Sequence, residues 1–86
     1  MKRIKLENEL TLEINFIKST STIVDAPKFC HDLIVPRFVQ EFKRNYDIKR
    51  IKKGAFVSCQ INTIKFSNDS KLSVIDDQAF QNCTIN

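Results

Sequence analysis

Cys30, His31 and Asp32 stand side by side, and a thiol, an imidazole and a carboxylate are the groups that a nucleophile, its base and an orienting acid require. Adjacency works against that use. Neighbouring side chains in an extended segment leave on opposite faces, so Cys30 and His31 are poorly placed to share a hydrogen bond. The plainer expectation is a buried thiol beside an exposed histidine. Cys30, His31, Cys59 and Cys83 together would give zinc four ligands of suitable softness. Sites of that kind are normally built on close pairs such as C-x2-C, and none occurs. The sequence therefore assigns no catalytic residue, no metal ligand and no cofactor.

Three cysteines are too few and too oddly numbered for a disulfide scaffold, so reduced thiols are expected. Cys59 and Cys83 hold equivalent places 24 residues apart. In a parallel ladder equivalent residues lie about 4.8 Å apart, inside the Cα range of roughly 4.4 to 6.8 Å that a disulfide tolerates. Small buried thiols filling a repeated core slot explain the spacing without a bond. Asn68-Asp69-Ser70 and Asn82-Cys83-Thr84 fit the glycosylation pattern, which matters only in a secreted protein.

The densest charge is "KRNYDIKRIKK", where Lys43, Arg44, Lys49, Arg50, Lys52 and Lys53 surround Tyr46. Cations with an aromatic can hold phosphates and stack a base. If Ile48 and Ile51 face a core, the same cations are simply its solvated side. One glycine excludes GxGxxG and P-loop patterns, and no RNA-binding or helix-turn-helix signature is present, so nucleic acid is an unfavoured partner.

Eighty-six residues suggest one domain, and 42% hydrophobic with 28% charged residues is an ordinary globular composition. The net charge of +4 is uneven. Residues 1–53 carry 12 basic against 7 acidic groups, and residues 54–86 carry 2 against 3. This favours weak attraction to anionic surfaces and names no partner. Acidic and polar residues interrupt "MKRIKLENELTLEINF", so no secretory signal is visible, and no run of 18 or more apolar residues could span a bilayer.

"IKKGAFVSC" at 51–59 returns as "IDDQAFQNC" at 75–83. A 24-residue offset aligns Ile48 with Leu72, Ile51 with Ile75, Ala55 with Ala79, Phe56 with Phe80, Cys59 with Cys83, and Ile61 with Ile85. A period of about 20 to 29 residues marks stacked units that each bury an apolar face against the next. "INTIKF" predicts a strand with Ile61, Ile64 and Phe66 inward and Thr63 and Lys65 outward. Asp76 and Asp77 predict the start of a single helical turn that plugs the core with Ala79 and Phe80. "LIVPRFV" supplies an earlier strand at an offset of 31, with Leu33 and Val35 in the roles of Ile64 and Phe66, so "EFKRNYD" reads as about seven inserted residues. "TIVDAPKF" has the outline of "SVIDDQAF", with Phe29 opposite Phe80, and marks a candidate degenerate coil. "ELTLEINFI" alternates Leu10, Leu12, Ile14 and Phe16 with polar residues, the pattern of a half-buried strand able to cap the first coil.

"IKKGAFVSC" and "INTIKFSNDSKLSVIDDQAFQNC" resemble the BspA-like leucine-rich repeat family over residues 48–86. The resemblance implies a mainly β chain: a short leucine-rich-repeat solenoid with one strand ladder, single helical turns on the opposite side and an N-terminal strand as cap. Residues 1–32 would form the capping region and residues 33–86 the coils, the last incomplete, so a piece of a longer array is expected. It also implies a surface or adhesion protein, while the compartment stays open without a visible signal.

The function expected is non-enzymatic: a protein-interaction module with no cofactor. Its candidate partner surface is Thr63 and Lys65, with Asn62 and Ser67 at the margin. Further repeats of its own longer chain are a second candidate partner. The alternative is anionic-surface or nucleic-acid binding through residues 43–53.

Overall fold

Leu10, Leu12 and Ile14 are fully buried in the structure, a computed structural model that describes residues 2–85. Their alternation with polar residues forms β2 (Thr11–Asn15), which lies antiparallel between β1 (Lys2–Lys5) and β3 (Thr20–Asp25). On its other side β3 pairs in parallel with β6 (Arg44–Ile51). The far edge of β6 is shared: β5 (Phe38–Glu41) runs antiparallel along its first half, and β8 (Val74–Ile75) runs parallel along its end. These six strands make one curled sheet. A second, wholly parallel sheet orders β4 (Phe29–Val35), β7 (Gln60–Phe66) and β9 (Thr84–Ile85).

Strand registers match the offsets at which the sequence aligns with itself. Ile51 pairs with Ile75 and Ile61 with Ile85, 24 residues on, while Leu33 pairs with Ile64 and Val35 with Phe66, 31 residues on. Between the sheets Ile23, Ile48, Ile51, Leu33, Val35, Phe56, Cys59 and Ile61 are all buried. Phe56 stacks on Phe80 with ring centroids 4.7 Å apart.

The chain is mainly β, but it is not the helix-bearing leucine-rich-repeat solenoid that the resemblance implied; no helix occurs among the described residues. The reason lies in the two repeated turns. Ala55 N donates to Lys52 O and Val57 N to Gly54 O, and the second copy repeats this as Ala79 N to Asp76 O and Gln81 N to Gln78 O. Each run is broken by left-handed residues at equivalent places, Gly54 and Ser58 in the first copy and Gln78 and Asn82 in the second. A right-handed helix cannot propagate through them. The N–H groups they release bond to the other copy instead: Gly54 N to Gln78 O, Phe56 N to Ala79 O, and Ser58 N to Gln81 O. Asp76, expected to open a helical turn, accepts an ion pair from Arg50 at 3.8 Å. The curled sheet is also unlike a stacked array, because β1, β2 and β5 join antiparallel.

Gly54 takes φ of +76°, a region glycine enters without steric cost, and glutamine holds the same conformation at position 78 with φ of 62°. A side chain in that region costs roughly 1 kcal/mol or more. Gln78→Gly is therefore expected to raise the unfolding free energy by about 1 kcal/mol, read as a higher urea midpoint with an unchanged slope. A lower midpoint would contradict the assigned backbone.

"EFKRNYD" is the tip and arm of the β5–β6 hairpin, with a two-residue turn at Phe42 and Lys43 where both φ values are positive. Phe29 does not occupy a place like that of Phe80. The link between β3 and β4 is only 26–28, too short for the eight-residue turn of the later copies, so Phe29 opens β4 beside Gln60.

Candidate functional site

The outward side of the parallel sheet takes its form from one irregularity that β4 and β7 share. Leu33 and Val35 are buried and Cys30 is half-buried, which leaves His31 and Asp32, consecutive in sequence, both exposed. Asn62 and Thr63 beside them on β7 are both half-buried, and the four polar side chains form a block across two strands. The Asn62 side-chain amide donates to His31 Nδ1 at 2.7 Å, and the Thr63 hydroxyl donates to the Asp32 carboxylate. Apolar side chains flank the block: Phe29 is 75% exposed at one end, and Ile34 is 61% exposed beside Lys65 at the other. An open groove of about 420 Å³ runs past Phe29, His31, Asn62 and Thr84.

Asn62, Thr63 and Lys65 thus lie together on β7 as one edge-to-edge surface with β4. Ser67 lies past the strand end, where its hydroxyl donates to Asp69 and holds that carboxyl below the usual range, assisted by Arg37. Sequence reading missed Phe29, His31, Asp32 and Ile34 as members of the surface. The signal was present, since the 31-residue offset carried from Leu33 and Ile64 to their neighbours leads from Asn62, Thr63 and Lys65 to His31, Asp32 and Ile34.

The basic run is divided. Lys43 and Arg44 sit at the hairpin end, where the Arg44 guanidinium lies 5.7 Å from the Tyr46 ring centroid and bonds the Ser19 hydroxyl. Lys53 lies in the first turn copy, whereas Lys49, Arg50 and Lys52 line a groove on the curled sheet. Tyr46 is fully buried against Phe16, so it offers no ring face to a base. The combination of cations with a stacking aromatic does not assemble.

Cys59 and Cys83 are free thiols, the first buried and the second half-buried. Burial pushes both above the ordinary thiol range; Lys28 partly offsets this at Cys59, while Cys83 adds to it. Groups so shifted are poor nucleophiles at neutral pH. The unfolded thiols ionise near their ordinary value of 9.0 while the folded ones still hold their protons. The stabilisation is complete below that value and is lost as pH rises through the folded values. Denaturation midpoints measured from pH about 8 upward should fall, and Cys59→Ala, though less stable throughout, should fall less steeply. Equal slopes would place Cys59 in contact with water.

No group of three or more His, Cys, Asp or Glu able to hold a metal occurs among the described residues, so Cys30, His31, Cys59 and Cys83 are not gathered into a site. No helix among them is long and apolar enough to cross a membrane. No family model matches the chain, and comparison with characterised proteins and with solved structures found no match.

Proposed function

We propose that the chain is a non-enzymatic interaction module that engages a protein partner through the outward side of its parallel sheet. The observation that carries this reading is the exposure of Phe29 and Ile34 on the same side as the hydrogen-bonded block of His31, Asp32, Asn62 and Thr63. Large apolar side chains set among polar groups with fixed geometry are the composition of a binding hot spot and its rim. The block is held by its own hydrogen bonds across β4 and β7, so little order has to be gained on binding. Lys65 beside Ile34 adds a cation at the margin and favours an acidic neighbour on the partner.

The test is capture from the source cells with the immobilised chain. Any protein retained through this surface is lost with Phe29→Asp/Ile34→Asp and kept with Lys18→Gln/Lys49→Gln/Lys52→Gln. Retention that ignores the first pair of substitutions overturns the reading.

A further inference from the structure

The curled sheet carries a basic groove, and a β-bulge shapes one wall of it. Along the β3–β6 ladder Ser21 pairs with Ile48, but the next residue, Thr22, pairs with Arg50. Lys49 is the extra residue. Because of it, two consecutive cations stand on the solvent side between the buried Ile48 and Ile51, where a regular strand would turn one of them inward. Bulges re-aim side chains in this way beside functional sites.

The bulge lines one wall of a groove of about 510 Å³, to which Lys52 and the β2–β3 turn residue Lys18 also contribute. The carboxylates there are already engaged, Glu13 with Arg3 at 3.2 Å and Asp76 with Arg50 at 3.8 Å. Lys18, Lys49 and Lys52 form no ion pair among the described residues. Neutral donors lie between them. The Asn15 side-chain oxygen accepts Ile17 N and Lys18 N, which turns its amide NH2 away from the turn, and Thr20 and Thr22 add hydroxyls.

We propose that this groove binds a compact polyphosphate-class anion, with Lys18, Lys49 and Lys52 as its charge partners and Asn15, Thr20 and Thr22 as hydrogen-bond donors. Three unpaired ammonium groups call for more than one negative charge, which selects linked phosphates over a single carboxylate. No aromatic side chain lines the groove, so nothing there stacks a base, and single-stranded nucleic acid is the less suitable polyanion. The volume lies within the range of about 300 to 1,000 Å³ typical of small-ligand sites.

The experiment is an amide NMR titration of the full chain with inorganic pyrophosphate, compared with inorganic phosphate, adenosine diphosphate and an oligothymidylate. Pyrophosphate should shift the amides of Lys18, Thr20, Thr22, Lys49 and Arg50. It should bind at least about tenfold more tightly than phosphate, and at least about tenfold more weakly to Lys18→Gln/Lys49→Gln/Lys52→Gln. Adenosine diphosphate should bind no more tightly than pyrophosphate. The proposal is overturned if no shift localises to the groove at about 10 mM ligand, or if Lys43, Lys53 and Lys71 respond equally. Unchanged binding by the triple variant or clear preference for the oligonucleotide also overturns it. Phe29 and Ile34 take no part, so failure here leaves the protein-docking surface untouched.

Discussion

Phe56→Ala is expected to remove about 3 to 6 kcal/mol of unfolding free energy, read as a much lower urea midpoint. Phe56 is fully buried, stacks on Phe80 and sits between hydrogen bonds that join the two turn copies. Truncating a buried phenylalanine costs about 3 to 5 kcal/mol, and the lost ring pair adds about 0.5 to 1.5 kcal/mol. A chain of 86 residues has a total stability of about 4 to 13 kcal/mol, so the substitution removes a large share of it. Phe80→Ala is the comparison that makes the result specific. Phe80 is only half-buried, so its truncation should cost clearly less in a urea titration. The reverse order would mean that Phe56 is not the inner ring of the stack.

Phe29→Asp/Ile34→Asp should do the opposite, leaving stability nearly unchanged and removing partner binding. Both side chains point to solvent from a strand whose inward residues, Leu33 and Val35, carry the packing. Exposed substitutions of this kind usually stay within about 0.5 kcal/mol. An anchor at the centre of an interface contributes about 2 kcal/mol or more, roughly thirtyfold each, and an aspartate adds the penalty of burying an unpaired charge. The pair should therefore weaken a complex by more than about a hundredfold. An affinity change below about tenfold with stability intact would place the partner elsewhere.

The apolar alternation of Leu10, Leu12 and Ile14, the 24-residue offset from Ile51 to Ile75 and the 31-residue offset from Leu33 to Ile64 were legible because each is a spacing of apolar side chains, and each reappears as a strand or a register. The turns were misread because apolar spacing says which residues face inward but not which backbone angles bring them there. Ala79 and Phe80 reach the core from a turn broken at Gln78 and Asn82, and nothing about those two residue types announces a left-handed conformation as glycine does. The β5–β6 hairpin was hidden for the same reason, since its turn uses Phe42 and Lys43 where Asn-Gly would have been the signal. Within the candidate surface, Asn62, Thr63 and Lys65 were found from one strand alone. His31 and Asp32 were weighed as parts of a catalytic run with Cys30, and their pairing with Asn62 and Thr63 needed the β4–β7 register.

Strand β3 acquires its second neighbour only when residues 47–51 arrive, because its parallel partner lies in β6. A ribosome adds about 5 to 20 residues per second, so for about one to five seconds a nascent chain holds Ser21 and Ile23 against β2 alone. Through that interval the free side of β3 is an unpaired edge, open to any extended segment nearby. Yield during synthesis should therefore respond to translation speed while residues 26–51 emerge from the ribosome, and slowing that interval should increase the aggregated share.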